Sequence, residues 1–367
     1  MEDLRFRDRA KAEELARVIA RLAPDREKSV KLVHVCGTHE VTITEFGLRS
    51  LLPPQVEILE GPGCPVCVTP VRHIDEAVAL AEQGHILATF GDMARVPGSR
   101  GSLEEARSRG ADVRIVYSIA EAVELAHRTD REVIFFAVGF ETTAPTVAAT
   151  MLNGVPENLS LLVSHKLIPP AMAALLQKEH DISGFLAPGH VSTIIGMEPY
   201  RIFPERYGMP VVIGGFEPLD ILYSIALLLR QLRDLEPKVE NAYTRAVRPE
   251  GNPRAKEVLY EVFDVTDHHW RGLGPIPDSG LKLREEFRGW DARERFSLDL
   301  ESVAEREDSD SLHPGCRCAQ VIAARATPDR CPLFHKVCTP RTPYGPCMVG
   351  EEGMCHIWYR YGGRPKL

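Results

Sequence analysis

The stretch VIFFAVGFETTAPTVAATML, residues 133–152, decides the fold class. It begins with six apolar residues that suit a buried strand, continues through a glycine-led loop at 139–145, and ends in a helix-like segment at 143–152. A strand, a loop and a helix in this order form the repeating unit of α/β proteins with parallel sheets. The same unit recurs on both sides of this stretch.

Six further segments are predicted as strands that lead into polar or glycine-rich loops, at 30–35, 56–59, 86–90, 159–163, 184–187 and 210–213. Helices are predicted at 8–22, 74–82, 118–127, 171–177 and 219–235. We therefore predict an α/β fold with two parallel-sheet domains facing a central crevice. Because chemistry in open parallel sheets gathers outside the carboxyl ends of the strands, we expect the polar loops to meet in that crevice.

The predicted domains follow the order of the chain. An N-terminal helix occupies 1–29, a first α/β domain 30–140, a second 141–240, and a C-terminal helical and loop region 241–367. Within the last region, 239–263 looks helical with a break at 248–253, and 268–277 looks like a loop rich in glycine, proline and aromatic residues. A charged stretch at 284–310 then leads to the last sixty residues or so.

Composition excludes several classes of protein. The 367 residues carry a formal net charge of -8 without a long basic run, so we expect no nucleic-acid partner. The longest apolar stretch, 221–229, is too short to span a membrane, and the charged N-terminus does not look like a signal peptide. We therefore expect a cytoplasmic protein. In that reducing compartment its nine cysteines are more often metal ligands or redox thiols than structural disulfides.

Six of the nine cysteines lie close together near the C-terminus, namely Cys316, Cys318, Cys331, Cys338, Cys347 and Cys355. Structural zinc usually takes pairs of ligands two to four residues apart, and no CxxC pair occurs here. Four thiolates from loops, with prolines beside them, suit a 4Fe-4S cluster better. The two remaining thiols could form a disulfide or dithiol beside it. Zinc and a structural disulfide knot are the alternatives.

The other three cysteines indicate a second site. Cys64 and Cys67 have CxxC spacing inside GPGCPVCVTP, residues 61–70, which suits a reversible disulfide or half of a metal site. Cys36 ends a predicted strand and precedes Thr38, His39 and Glu40, so it could be a ligand or a buried small residue. The predicted sheet brings all three thiols to one crevice.

Several polar residues at strand ends fit either a site or a local structural role. Glu141 and Thr142 could cap the following helix, His190 could make a turn or capping contact, and Glu217 could be a carboxylate at a helix start. The glycine loops match neither the Walker A pattern nor the dinucleotide-binding pattern, so a nucleotide site has no direct support.

These blocks together resemble the HypD family of nickel-iron hydrogenase maturation factors, over about residues 30–361. The resemblance is carried by CGTHE at 36–40, GPGCPVC at 61–67, GFETTAP at 139–145, PGHVS at 188–192, GFEPLD at 215–220, the loop at 270–277, and the six-cysteine tail with CMV at 347–349 and EGMC at 352–355. It implies a scaffold on which the iron of the hydrogenase centre receives two cyanides and one carbonyl. The implied partners are HypC, whose N-terminal cysteine shares the iron, HypE, which presents a thiocyanate as the cyanide source, and indirectly the hydrogenase large subunit.

The resemblance also implies roles for the cysteines. Cys36 matches the iron-binding cysteine, and Cys64 and Cys67 match the redox-active pair. The cluster ligands would be Cys316, Cys331, Cys338 and Cys355. Cys318 and Cys347 would be the remaining redox pair, in a layout similar to ferredoxin-thioredoxin reductase.

Two other functions fit the same residues. The first is an iron-sulfur oxidoreductase that reduces a disulfide or a small thiol substrate through Cys64 and Cys67. The second is a non-catalytic binding module with a structural cluster. Loss of hydrogenase maturation on removal of Cys36 separates the scaffold from the oxidoreductase, because only the scaffold needs that thiol.

Overall fold

A computed structural model describes residues 6–25, 29–177, 179–296 and 313–363. The strands are β1 (Val30–His34), β2 (Val56–Glu60), β3 (Ile86–Thr89), β4 (Val113–Ile115), β5 (Val133–Gly139), β6 (Leu159–His165), β7 (Ile182–Pro188), β8 (Val211–Gly214), β9 (Val239–Asn241), β10 (Phe263–Trp270) and β11 (Gly274–Leu283). Two of the sheets are parallel throughout, as the strand, loop and helix units predict.

The helices lie between the strands and after them. They are α1 (Arg9–Leu22), α2 (Gly37–Glu45), α3 (Pro65–Val68), α4 (Val71–Glu82), α5 (Gly91–Arg95), α6 (Leu103–Ser108), α7 (Ile119–His127), α8 (Ala144–Leu152), α9 (Ile168–Leu175), α10 (Gly189–Ile195), α11 (Ile202–Tyr207), α12 (Pro218–Asp234), α13 (Pro253–Val262), α14 (Ala292–Arg295), α15 (Cys318–Ile322) and α16 (Met354–Tyr361). Within the described ranges, no helix has both the length and the apolar character needed to cross a membrane.

The two parallel sheets do not follow the order of the chain. The first sheet has the order β2-β1-β7-β8-β9, and the second has the order β4-β3-β5-β6. The chain therefore starts the first sheet, leaves it to build the whole second sheet, and returns. Each of the predicted ranges 30–140 and 141–240 consequently contains strands of both sheets. This arises because β1 pairs with β7, about 150 residues later, and a local pattern carries no information about such a pairing.

All seven predicted strands are present, but two short strands of the parallel sheets were not predicted. β4 and β9 have three residues each and lie at sheet edges. The segment 239–263 was predicted to be helical; instead it begins with β9, and only Pro253–Val262 forms a helix there. A three-residue edge strand is held by one neighbouring strand and has too few residues to show a period.

The predicted loop at 268–277 is instead part of an antiparallel hairpin. β10 pairs with β11 from Phe263 opposite Leu283 to Trp270 opposite Gly274. Prolines at positions 275 and 277 made this segment resemble a loop, because proline cannot donate a ladder hydrogen bond. A two-stranded sheet leaves edges where a missing N–H is tolerated.

The described residues 313–363 form short helices and turns, and they contact loops of both parallel sheets. The backbone N–H of Glu351 donates to Asp92 Oδ2 across 3.0 Å, and Arg95 donates to the carbonyl oxygen of Pro340 across 2.8 Å. Both contacts reach α5, which follows a strand of the second sheet. On the other side, α16 packs against α2, which follows the first strand of the first sheet.

Candidate functional site

Cys36 and the glycine loop after β2 lie side by side at the carboxyl edge of the first sheet. β1 and β2 are paired with His34 opposite Glu60, so the residues that follow each strand leave the sheet together. The backbone N–H of Gly61 donates to the carbonyl oxygen of His34 across 2.7 Å. This pairing brings Cys36 next to the segment that carries Cys64.

Gly63 is the point of closest approach between these two segments. A Cβ atom added to Gly63 would collide with the backbone nitrogen and Cα of Cys36. Only glycine lets the two backbones come this close. The GPG sequence before Cys64 therefore has a steric reason, which is to let the loop rest directly on Cys36.

Cys64 and Cys67 form a disulfide within the loop and α3. Their Cα atoms are 5.2 Å apart, inside the range that a disulfide requires. Pro65 starts α3 with Cys64 as its N-cap, so one helical turn sets the separation of the two sulfurs. Both residues are buried, at 3% and 2% exposure.

Burial dominates the surroundings of the Cys36 thiol. Burial, with a smaller contribution from the charge of Glu352, raises the pKa of Cys36 to about 12. Backbone N–H groups of His39 and Thr38, at the start of α2, act in the opposite direction. Glu352 reaches this position from the C-terminal region, where it accepts a hydrogen bond from the Thr38 hydroxyl across 3.3 Å.

A buried polar network connects the backbone of Cys36 to the C-terminal helix. His34 lies with Nδ1 3.1 Å from the Cys36 carbonyl oxygen and Nε2 2.8 Å from Glu40 Oε2. Glu40 also accepts hydrogen bonds from Arg49 across 2.7 and 2.8 Å and from the Trp358 indole across 2.7 Å. Burial alone would raise the pKa of Glu40, but Arg49 and His34 outweigh it and hold that pKa well below its usual range.

Among the six C-terminal cysteines, Cys318 and Cys347 are in direct contact. Their sulfur atoms are 2.9 Å apart and both residues are buried. Hydrogen bonds with the thiols of Cys316 and Cys347 lower the pKa of Cys318 well below its ordinary value, and Arg271 adds to this effect. The shared proton raises the pKa of Cys347 correspondingly. A small movement would bring these sulfurs to the disulfide bond length of about 2.05 Å.

The remaining four thiols come from separate loops of the same region. Cys316 lies in a turn before α15, and Cys331 follows a single helical turn at Pro328–Arg330. Cys338 accepts a hydrogen bond from the N–H of Tyr344 across 3.5 Å. Cys355 lies in the first turn of α16. A hydrogen bond with the Cys318 thiol is the main cause that raises the pKa of Cys316, and the charge of Cys331 adds a smaller effect. Burial is the main cause that raises the pKa of Cys338, and the charges of Cys355 and Cys331 add to it.

Four cysteine thiolates are the donor set that an iron-sulfur cluster takes. In the described part of the chain, no three His, Cys, Asp or Glu side chains are grouped closely enough to hold one metal ion. A 4Fe-4S cluster places its ligands farther apart, because each thiolate binds a different iron atom. The residues that would hold it are Cys316, Cys331, Cys338 and Cys355.

A small cavity lies beside the disulfide. It is lined by Cys64 and Cys67, by Cys347 and Met354, and by Glu60 at the end of β2. The disulfide and Cys347 thus border a common space. The sequence showed no signal for this contact, because it joins segments that are about 280 residues apart.

Glu141 and Thr142 lie at the carboxyl end of β5 in the second sheet. Glu141 is buried and accepts a hydrogen bond from the N–H of Ile168 across 2.9 Å, so it serves the first turn of α9 and not that of α8. Burial raises the pKa of Glu141 to about 7. Thr142 is exposed, and no side-chain cap is seen at the start of α8.

The other candidates lie along the carboxyl edge of the first sheet. The ring of His190 stacks on that of Phe216, with centroids 3.9 Å apart. The ring centroid of His39 lies 5.0 Å from that of Phe216. Burial lowers the pKa of His39 to about 3. Glu217 has a local role, because it is the N-cap residue of α12 and pairs with Arg7 across 2.7 Å.

An open crevice is not seen at this edge in the part of the chain that the structure describes. Cys36 is only 8% exposed, and Cys64, Cys67 and Cys347 belong to one buried apolar cluster that also contains Trp270. The hairpin and the C-terminal region fill the space that the two-sheet prediction left open.

Comparison with known proteins identifies the family. A sequence model of HypD, described as "Hydrogenase formation hypA family", matches residues 10–362. The chain belongs to the HypD family. Its relatives in this family include the hydrogenase maturation factor HypD2 of Bradyrhizobium diazoefficiens, 44% identical over 371 residues that cover 97% of this chain and 96% of the relative.

Two further HypD relatives cover nearly the whole chain. Hydrogenase maturation factor HypD of Azotobacter vinelandii is 43% identical over 370 residues, which cover 97% of this chain and 96% of the relative. That of Escherichia coli is 41% identical over 356 residues, which cover 95% and 94%. All three are named hydrogenase maturation factors, and this supports a role of the chain in hydrogenase maturation.

Four residues around the cysteines of this HypD family member were not predicted from the sequence. Glu60, Arg49, Glu352 and Trp358 all contact the site or its supports. Of these four residues, Glu60 alone could have been found from the sequence, because it directly precedes the glycine loop. The other three lie near Cys36 only because the C-terminal region folds back onto α2.

Proposed function

We propose that the chain is a redox-active scaffold for assembly of the iron centre of nickel-iron hydrogenase. Its cargo is an iron atom that is held by Cys36 together with the N-terminal cysteine of HypC. This iron receives two cyanides that originate from HypE, and one carbonyl, before transfer to the hydrogenase large subunit. The observation that carries the proposal is the position of Cys36 against the loop that contains the Cys64–Cys67 disulfide.

The chemistry of Cys36 supports a role as an iron ligand. Thiolates suit soft, strongly ligated iron, and a metal ion can displace the proton from a thiol that would otherwise keep it. With its pKa at about 12, free Cys36 stays protonated at neutral pH. Iron binding would therefore release a proton from this buried position.

The cysteine pairs supply the redox side of the proposal. Release of cyanide from a thiocyanate requires electrons, and Cys64 and Cys67 adjoin Cys36 in the same loop contact. Cys347 lines the cavity that also borders the disulfide, and its sulfur contacts that of Cys318. A cluster on Cys316, Cys331, Cys338 and Cys355 would supply single electrons to this region when bound.

The test is the Cys36→Ala variant, co-purified anoxically with HypC and HypE. We expect the unmodified complex to show infrared bands of cyanide and carbonyl on iron, and the variant to lack them and to abolish hydrogenase maturation. The variant should keep the iron and inorganic sulfide of the C-terminal region, which controls for folding. Maturation that survives the substitution would overturn the scaffold proposal.

The second candidate is an iron-sulfur oxidoreductase, which the disulfide at Cys64 and Cys67 favours. In that function Cys36 is dispensable and disulfide turnover continues without it. Reduction of an added disulfide by the Cys36→Ala variant at the unmodified rate, together with intact maturation, would select this candidate. Zinc in place of iron and sulfide in the anoxic protein would exclude both redox functions.

A further inference from the structure

Glu60 is a buried acid at the end of β2. It is 4% exposed, and neither of its carboxyl oxygens has a hydrogen-bond partner in the described ranges. A buried polar group without a partner costs about 1–3 kcal/mol. Nothing in the packing of β2 explains why a carboxyl group occupies this position.

Glu60 and the disulfide line the same small cavity. Cys347 lines it too, and apolar side chains such as Ile322 and Met354 form much of the remaining wall. An acid, a disulfide and a further cysteine therefore border one largely apolar space.

Burial and the charges around Glu60 both favour the protonated form of its carboxyl group. Burial raises the pKa of Glu60 well above its usual range, and the charges of Glu40, Cys355 and Glu352 raise it further. Arg49 opposes this, but its guanidinium is already hydrogen-bonded to the carboxylate of Glu40. An acid in this state can give a proton to a neighbouring thiolate and take one back.

We propose that Glu60 is the proton donor and acceptor of the Cys64–Cys67 pair during its reduction by a dithiol. The proposal rests on the proposed redox function of this pair. Cys318 and Cys347 are a dithiol of the required class, and Cys347 lines the same cavity. General acid catalysis suits this step, because the departing cysteine sulfur leaves more readily when it is protonated as the S–S bond breaks.

The step balances in protons and electrons. A thiolate of the dithiol forms a bond to one sulfur of the disulfide, and the Cys64–Cys67 bond breaks with its electron pair on the other sulfur, which takes the proton of Glu60. The Glu60 carboxylate then accepts the proton of the second dithiol sulfur, which displaces the remaining cysteine from the mixed disulfide. That cysteine takes up the proton that the first dithiol sulfur released. The dithiol loses two electrons and the Cys64–Cys67 pair gains them.

The test measures reduction of the disulfide in the full-length holoprotein by dithiothreitol from pH 6 to 9. Thiol labelling and mass spectrometry of the peptide that contains residues 61–70 report the rate, expressed per thiolate of the reductant. Glu60→Gln should lower this rate by about a hundredfold at pH 7 and remove its pH dependence. Glu57→Gln, a partly exposed position on the same strand, should match the unmodified protein.

Glu60→Asp provides the second variant, because it keeps an acid in the cavity. It should react more slowly than the unmodified protein but keep a pH-dependent rate. An unmodified rate and pH profile in Glu60→Gln would overturn the proposal, and so would a pH-independent rate in Glu60→Asp if the glutamine variant does not fold. The Cys64→Ser, Cys67→Ser double variant separates the two proposals. If it still supports maturation, the proposed redox function itself fails, whatever the result at Glu60.

Discussion

The indole N–H of Trp358 donates a hydrogen bond of 2.7 Å to Oε1 of Glu40. Trp358 lies on α16, three residues after Cys355, and Glu40 lies on α2, four residues after Cys36. One buried contact thus connects the helix of a predicted cluster ligand with the helix of the predicted iron ligand. The guanidinium of Arg49 lies 5.3 Å from the centre of the same indole ring. The two cysteine regions are therefore held in a fixed relation.

Trp358→Phe should destabilise the protein, because it removes this donor and keeps most of the ring volume. A hydrogen bond to a charged group contributes about 1.5–3 kcal/mol, so we expect a loss of about 2 kcal/mol in the free energy of unfolding. Urea denaturation at pH 7 measures it. Trp290→Phe is the matched control, since Trp290 is only partly buried and packs near Phe287 at the surface. An equal loss in both variants would contradict the role of the hydrogen bond.

Arg49→Met should lower the free energy of unfolding by more than Trp358→Phe does, because it leaves the charge of Glu40 buried without the guanidinium of Arg49. Glu40 is fully buried and Arg49 is 11% exposed, and loss of one partner of a buried ion pair costs about 3–5 kcal/mol. The pKa of Glu40 is lowered in the fold, so its contribution to stability is present at neutral pH and is lost as the pH falls into the acid range.

The pH dependence distinguishes this ion pair from simple packing. Urea denaturation at pH 7 and pH 4 should show a smaller loss of stability on acidification in Arg49→Met than in the unmodified protein. Arg9→Met, which removes an exposed pair with Glu13, should change neither value appreciably. If Arg49→Met loses as much stability between pH 7 and pH 4 as the unmodified protein, a group other than Glu40 is responsible for the pH dependence.

Much of the fold followed from local sequence, because its strands are buried on both faces. The run at 133–138 is continuously apolar and the run at 159–163 is interrupted only by Ser160, and such runs are typical of parallel strands that are covered by helices. The position of Cys36 and of the 61–67 loop at one sheet edge followed from the same rule about strand ends. The local sequence did not show which strands share a sheet, because the pairing of β1 with β7 is decided by packing and not by the period of apolar residues.

The part of the site that the sequence missed comes from long-range packing. Glu60 ends the segment VEILE, where a terminal glutamate suggests an exposed position. It is buried because residues 321–354 of the C-terminal region cover it, about 260 positions later. The hairpin was missed for a different reason, since its prolines and histidines hide the alternation that indicates a strand.

His165→Leu should make the stability of the protein less dependent on pH. His165 is fully buried, neither ring nitrogen has a partner among the described residues, and burial lowers its pKa to about 3. Between its ordinary value of 6.5 and about 3, the unfolded chain binds a proton that the folded chain does not. Stability is therefore lost as the pH falls below about 6.5, by up to about 1.4 kcal/mol per pH unit.

The measurement is the free energy of unfolding at several values between pH 7.5 and 4.5. His165→Leu should show a shallower slope than the unmodified protein. His127→Leu is the control at an exposed histidine of α7, and it should keep the full slope. An unchanged slope in His165→Leu would mean that other buried histidines, such as His39, carry the pH dependence.

Gly63→Ala should disturb Cys36 directly, because the new methyl group would collide with the Cys36 backbone. Overpacking of a closed contact costs about 1–3 kcal/mol and moves the backbones apart. The loop with Cys64 would then rise from Cys36, and alkylation of the Cys36 thiol at pH 8, mapped by mass spectrometry, should become faster. Gly289→Ala adds the same methyl group where no heavy atom lies within 4 Å, so it should change neither stability nor alkylation. Unmodified behaviour of both properties in Gly63→Ala would contradict the close packing of the loop on Cys36, on which the proposed iron site depends.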